Sequence, residues 1–262
     1  TAKTTQSKAS SQTWASFRCA CVIFLASNFS AMKKLAVLIS VVGVCPIFSV
    51  AQNLVPNPSF EEYVNCPNDY GQAAWATGWF QCMASADLYN VCSDTAGVPQ
   101  NLFGNQSPAD GDGYIGMTVF TNCECPSGTH ENVGIRLPFA LQVGTVYWAS
   151  LKVSRTAGYV SYQTRSKYAV NGLGILCGMD SLGLASLWDP LPNRAHVFSE
   201  AIITDTVDWV TISGSFVADS AYQWLYIGNF FSDDSTAHVL VDPEGDEFSH
   251  YFVDDVCLST QQ

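Results

Sequence analysis

Basic residues are scarce in this sequence. Eleven Lys and Arg stand against 23 Asp and Glu, giving a formal net charge of −12. An acidic chain repels phosphate unless its few cations cluster, and here they do not, so no nucleic-acid partner is expected. Charge of either sign is sparse, at 13% of residues against 48% hydrophobic, which excludes a long disordered polyelectrolyte. Any apolar run of the ~20 residues that a spanning helix needs is also missing, so the chain is not expected to span a membrane.

Catalytic signatures are lacking as well. There is no G-x-S-x-G elbow, and His130, His196, His238 and His250 are scattered with no H-E-x-x-H among them. Gly172-x-Gly174 has no third glycine at the right spacing. Glu61-Glu62 and Asp254-Asp255 are adjacent pairs, whereas glycosidase carboxylates flank a bond from opposing positions ~5–9.5 Å apart. No enzyme is expected. Asp110-Gly111-Asp112-Gly113 opens like a calcium loop, but Thr121 stands at its twelfth position, so it reads as a solvated hairpin turn and not an EF-hand.

The charge is unevenly distributed. Residues 1–51 hold five basic residues and no acid, so all 23 acids fall in 52–262 with the remaining six basic residues, a net charge of −17 there. Met32-Lys33-Lys34, the apolar run Leu35–Val44 and the small residues of Ser49-Val50-Ala51 form a secretory signal segment over 32–51. Residues 1–31 precede it and read as an upstream extension of the reading frame, outside the fold. The expected product begins near Gln52 and is secreted, or placed in the periplasm or on the outer cell surface.

Seven cysteines remain after Ala51: Cys66, Cys82, Cys92, Cys123, Cys125, Cys177 and Cys257. In an oxidising compartment disulfides are the default, and an odd number leaves at least one thiol free or paired between chains. Cys123-x-Cys125 with His130 lacks the usual zinc spacing. Connectivity is open in the sequence, but a Cys66–Cys92 bridge would staple the long loop-like stretch Asn65–Gln106.

Period-2 patterns and turn residues dominate 52–262. Strands are predicted at Gly113–Thr121, Val146–Arg155, Gly172–Cys177, Trp209–Val217, Gln223–Phe231, Val239–Val241 and Tyr251–Leu258, with the Trp209 and Gln223 strands forming a hairpin across Ala218–Ala221. Many short strands with such turns indicate a single all-β domain, a sandwich or jelly roll. In the last strand, strict alternation puts Phe252, Asp254, Val256 and Leu258 on one face and Val253, Asp255 and Cys257 on the other. Asp254 then lies on the more apolar side, where a carboxylate needs a cation or a hydrogen-bond network. Oxygen ligands favour Ca²⁺.

The aromatics, 15 Phe, 11 Tyr and 7 Trp, are the main binding resource. Sugar rings stack on Trp and Tyr. Trp148, Trp209 and Trp224 lie within strand patterns and read as core, whereas Trp75, Trp79, Tyr89 and Trp188 lie in loop-like stretches and are the ligand candidates.

Several motifs together resemble one family. Asn53-Leu54-Val55-Pro56-Asn57-Pro58-Ser59-Phe60-Glu61, Leu141-x-x-Gly144-Thr145-x-Tyr147, Trp209-x-x-x-Ser213-Gly214-x-Phe216 and Val253-Asp254-Asp255-Val256-x-Leu258 are similar in order and spacing to carbohydrate-binding modules with a galactose-binding-domain-like jelly roll. Asn65-Cys66-Pro67, Ser85–Cys92 and Val98–Gly104 resemble a subgroup of exported Gram-negative proteins. The resemblance implies a non-catalytic module that binds glycan or another surface polymer, with a structural Ca²⁺ held between Glu61 and Asp254. The competing expectation is a structural or adhesion domain of the cell envelope making protein contacts; a glycan-active hydrolase is the third.

Overall fold

The computed structural model describes residues 52–83, 85–122, 130–158, 164–181 and 192–261. The expected signal segment over 32–51, the residues before it, Cys123, Cys125 and Trp188 lie outside the described residues. Along the chain, the strands are β1 (Trp79–Met83), β2 (Asp87–Asn90), β3 (Gln100–Asn101), β4 (Gly104–Asn105) and β5 (Gly113–Thr121). Next come β6 (Asn132–Arg136), β7 (Val146–Arg155), β8 (Tyr168–Val170), β9 (Leu173–Gly178) and β10 (Val197–Phe198). The last four are β11 (Val210–Val217), β12 (Trp224–Asn229), β13 (His238–Leu240) and β14 (Phe248–Ser259). Short 3-10 turns occupy Ala73–Trp75 and Asp233–Ser235. Among the described residues no helix is long and apolar enough to cross a membrane.

Two five-stranded antiparallel sheets stack face to face, sheet 1 in the order β1-β6-β12-β9-β10 and sheet 2 in the order β11-β7-β14-β5-β2. Successive strands pass repeatedly from one sheet to the other, which makes the domain a β-sandwich of jelly-roll type. Two-stranded ribbons, β13 with β8 and β3 with β4, flank it. Alternation builds the core: Tyr147, Ala149, Leu151 and Val153 of β7 point inward and meet Val133 and Ile135 of β6, Leu225 and Ile227 of β12, and Leu173, Ile175 and Cys177 of β9. Such facing apolar rows are what drives two sheets together.

Three expectations are corrected. Trp209–Val217 and Gln223–Phe231 do not form a hairpin: β11 pairs with β7 in sheet 2, and β12 pairs with β6 and β9 in sheet 1. Their connection is tied to another loop, with Gly144 N–H donating to Ala218 O, Ala218 N–H to Thr145 O and Leu141 N–H to Tyr222 O, so it arches between the sheets. Asn65–Gln106 is not one long loop, since it carries β1 to β4 and a 3-10 turn.

The third correction concerns β14. Its register against β7 slips between Asp254, opposite Lys152, and Cys257, opposite Ser150. Two residues there oppose the single Leu151, a β-bulge, and Asp255 takes up the extra length at φ 48°. Alternation therefore reverses after Asp254. Tyr251, Val253, Val256 and Leu258 all enter the core, and Phe252, Asp254 and Cys257 share the outer side of sheet 2.

Cys66 and Cys92 are joined by a disulfide, while Cys82 and Cys177 are buried free thiols and Cys257 is half-buried. The bridge closes a sequence separation of 26 residues that includes β1 and β2. Cys66→Ser/Cys92→Ser is expected to lower unfolding stability by about 3 kcal/mol through the freed unfolded chain. Urea unfolding of the oxidised protein and of the variant would measure this; equal midpoints would show that the bridge does not constrain the unfolded ensemble.

Candidate functional site

The bulge aims Asp254 at the loop before β5. Its side chain is fully buried, with Oδ2 accepting from the amides of Ala109 at 2.8 Å and Asp110 at 3.0 Å and Oδ1 accepting from Asp255 N–H at 2.7 Å. Burial pushes its pKa up to about 7, and the three amide donors pull against that shift. Glu61 takes the other end of the same loop: Oε1 accepts from Asp112 N–H at 2.8 Å and Gly113 N–H at 3.0 Å. Gly111, at φ 67°, lets the carboxylate come this close, since a Cβ there would lie 2.3 Å from the carboxyl carbon. The Asp110–Gly113 turn is exposed from Asp110 to Asp112, as expected of a solvated turn, but it joins no hairpin, and its amides and that of Ala109 converge on two carboxylates 193 residues apart in sequence.

Glu61 itself is placed by a turn built on Asn57. That residue, at φ 47°, accepts from Glu62 N–H and donates to Glu62 O and Thr77 O, and Phe60 beside it, at φ 61°, drops into the core against Trp79. The Asn57-to-Glu61 motif is therefore a folding device as well as the carrier of the carboxylate.

These groups fit a calcium ion only in part. Oε2 of Glu61 is uncommitted, and each Asp254 oxygen retains acceptor capacity. Yet no three Asp, Glu, His or Cys side chains converge as a metal cage among the described residues, so most of the six to eight oxygens that Ca²⁺ takes would be backbone carbonyls and water.

The described aromatic candidates, Trp75, Trp79 and Tyr89, do not form one exposed platform. Trp79 opens β1 and is buried, its indole N–H donating to Asn57 O at 2.9 Å and its ring packed 4.8 Å from Phe60. Tyr89 is fully buried on the outer side of sheet 2, where its O–H donates to Asp87 at 2.8 Å. Trp75 is half-buried and packs on the core edge. The tryptophans read as core reach the surface to the same class of exposure as Trp75. Trp148 and Trp224 are half-buried on the outer faces of sheets 2 and 1, and Trp209 covers Tyr114 and donates to Ser107 O at 2.9 Å.

Around Trp224 an aromatic edge forms across β1, β6 and β12 on the outer face of sheet 1. Gly134 of β6 lies opposite both Phe80 and Tyr226, and a Cβ at Gly134 would come within 2.8 Å of either ring. Without one, the rings close over the strand. Phe80 stands perpendicular to Trp224 at 5.5 Å and to Tyr226 at 6.2 Å, and the guanidinium of the exposed Arg136 lies over the Trp224 ring at 5.9 Å. Tyr226 is buried, so Phe80, Trp224 and Arg136 are what a ligand would meet. The signal that could have found this edge is the glycine between two aromatic-bearing strands; strand alternation alone gave Trp224 no face.

No family model matches the sequence, and no curated protein does. Among solved structures, the chain is similar to the CBM22-1–GH10 modules of Clostridium thermocellum endo-1,4-β-D-xylanase 10B complexed with xylohexaose, at 13% identity and a TM-score of 0.37 over 71% of this chain and 26% of that one. It is also similar to the N-terminal cellulose-binding domain of Cellulomonas fimi β-1,4-glucanase C, at 12% identity and a TM-score of 0.34 over 71% and 90%. A third is the K3 cleaved adhesin domain of Lys-gingipain from Porphyromonas gingivalis, at 13% identity and a TM-score of 0.37 over 78% and 98%. The chain spans about a quarter of the first of these structures. None of the three assigns a role to a residue of this chain.

Because Gly111 faces Glu61 so closely, Gly111→Ala is expected to destabilise the fold by about 1–3 kcal/mol. Glu61→Ala added to it should cost less than the two separate losses combined, since the clash partner is then gone. Denaturant midpoints of the four proteins in that cycle would check this; strict additivity would mean that the loop and Glu61 are uncoupled.

Proposed function

We propose that the protein is an exported, non-catalytic β-sandwich module that binds a glycan or another surface polymer across the outer face of sheet 1. The single observation that carries this reading is the Phe80–Trp224–Arg136 edge, in which ring and guanidinium stand at the surface of a rigid sheet. Rings fixed by strand pairing offer a saccharide a stacking surface with little entropy left to lose on binding. Arg136 adds donors for hydroxyl or ring oxygens beside that surface. Export through the signal segment would deliver the domain to such polymers.

Affinity electrophoresis through gels containing soluble polysaccharides, with pull-down on insoluble ones, tests the reading. Trp224→Ala is expected to weaken retention by about tenfold or more. Its thermal unfolding should show a folded protein. Folded wild-type protein that no polysaccharide retains would overturn the proposal, and selective capture of an envelope protein instead would favour the adhesion alternative.

Calcium belongs to the same proposal, as a structural ion recruited by Glu61 and Asp254 with backbone oxygens of the loop between them. Asp254 supports it, because a buried carboxylate whose charge is disfavoured is stabilised by a cation. At a free concentration one hundred times its dissociation constant the ion would stabilise the fold by about 2.7 kcal/mol. Calorimetry is expected to show the melting temperature falling with EDTA, returning with excess Ca²⁺, and not responding in Asp254→Asn. A wild-type melting temperature indifferent to both reagents would remove calcium from the account.

A further inference from the structure

The reversed alternation after Asp254 has an effect on the opposite side of the sandwich from the aromatic edge. Cys257 and Ser259 leave the interior and align on the outer face of sheet 2 with β7 and β11. Register places Trp148 between Ser259 and Ser215, and Ser150 between Cys257 and Ser213. The result is a half-buried indole flanked by hydroxyl-bearing strands. A cavity of about 360 Å³ opens over it, lined by Trp148, Ser150, Thr211, Ser213, Cys257 and Ser259 among others.

Three properties of this cavity narrow what it can hold. First, most of its hydroxyls are unspent: Ser259 O–H donates to Gln261 O, but the hydroxyls of Ser150, Thr211 and Ser213 and the indole N–H of Trp148 make no hydrogen bond to the described protein, whereas the indole N–H groups of Trp79 and Trp209 are used internally. Second, it carries no free charge. Lys152 and Asp255, one step along the strands, neutralise each other at 3.0 Å. The Cys257 thiol is held neutral, since burial and the nearby Asp255 charge push its pKa up. Third, the floor is pleated sheet, so the indole and hydroxyls keep a fixed spacing. An indole beside several uncharged donors and acceptors matches a ring with an apolar C–H face and a hydroxyl-bearing rim. An anion would find no free cation there, and a purely apolar ligand would strand the hydroxyls without partners.

We infer that this cavity is a second binding site, distinct from that on the outer face of sheet 1, that seats a neutral pyranose ring against Trp148 with its hydroxyls toward Ser150, Thr211 and Ser213. The volume lies at the lower end of ligand pockets, in keeping with one or two sugar rings and not an extended chain. Two sites on opposite faces would let one domain cross-link polymer strands or gain avidity on a dense surface.

Calorimetric titration of the whole protein with neutral oligosaccharides (cellohexaose, xylohexaose, laminarihexaose, mannohexaose and galactohexaose), with oligogalacturonate as the charged control, tests this. Trp148→Ala is expected to cost about tenfold in affinity for at least one neutral oligosaccharide, and Trp224→Ala to leave that loss unchanged. Ser213→Glu, at an exposed edge-strand position where folding is not at stake, should block the same ligand. Peptide-resolved alkylation of Cys257 should slow when that ligand is bound. Neutral-sugar binding that survives both Trp148→Ala and Ser213→Glu would overturn the second site and leave the sheet 1 reading standing. Binding lost in those two variants but intact in Trp224→Ala would establish this site and remove the other. Tighter binding of oligogalacturonate than of every neutral sugar, or no binding by any probe to folded protein, would overturn the inference.

Discussion

One extra residue in β14 organises this domain. An unbroken strand would have carried Val256 and Leu258 outward with Asp254, exposing two aliphatic side chains and leaving Cys257 in the core. The bulge at Asp255 lets the strand send Tyr251 and Val253 inward before it and Val256 and Leu258 inward after it. The segment 53–58 is tied to the stretch beyond the bulge: Asn53 donates to Val256 O and accepts from Leu258 N–H, Leu54 N–H donates to Leu258 O, and Val256 N–H donates to Pro58 O. The first turn of the domain, the carboxylate on Glu61 and the loop it grips are thus referenced to the same half-strand. A bulge is tolerated here because Asp254 satisfies the backbone it disturbs, accepting from Asp255 N–H, and because an Asp meets the left-handed conformation at modest cost.

The outer side of sheet 2 divides at that point. Over β2, β5 and the first half of β14 cover comes from several segments, and Tyr89, Tyr114 and Phe252 pack with Tyr70 of the stretch between the bridged cysteines, Val98 and Phe103 just after it, and Trp209. Polar groups buried there are mostly spent on one another: Asp87 accepts from Tyr89 O–H and Gly71 N–H, and Glu131 accepts from Ser85 and from Thr118 N–H. His250 instead lies stacked on Phe103 at 3.8 Å, with Asp87 3.9 Å from its Nε2. Over β11, β7 and the second half of β14 no such cover lies on the sheet among the described residues, and Trp148 and the hydroxyls of Ser150, Thr211 and Ser213 keep their hydrogen-bonding capacity. One half of the face is closed and internally satisfied; the other offers unspent groups to solvent.

The sandwich was legible in the sequence because alternation over β5 and β7 is long and uninterrupted, and both strands fall where the pattern puts them. The core tryptophan was not, because the same alternation says only that Trp148 and Trp224 share a face with their second neighbours and not which face is buried. Trp79 was misread for the converse reason: β1 is short, follows a 3-10 turn, and gains its strand character from pairing with β6 and from an indole bond to Asn57, 22 residues away. The Trp209–Phe231 hairpin failed on the same ground, since turn chemistry alone cannot say that Ala218 bonds to the Gly144-Thr145 turn. Asp254 was found through the cost of placing a carboxylate on an apolar side, although the face assigned to it was wrong. Its true burial arises from the loop amides that cover it, and a backbone donor leaves no mark in a sequence.

Charge is distributed so that the acidic domain has few cations to offer. Of its six basic residues, Lys152, Arg165 and Lys167 are committed to Asp255, Asp242 and Glu247, and Arg155 donates to the carbonyls of Thr204 and Thr156. With a net charge of −17 over 52–262, a polyanion approaching either outer face meets a repulsive field and little compensating positive charge. Selectivity for neutral polymers would then follow without a dedicated recognition group, because the field rejects anionic ones before contact is made. Salt should weaken that rejection, since the repulsion acts over a screening length of about 10 Å at 0.1 M, whereas stacking on Trp224 or Trp148 is short-ranged and little affected by salt. A preference for neutral over acidic polysaccharide that narrows as salt is added would identify the charge of the whole domain, and not a contact in either site, as its source.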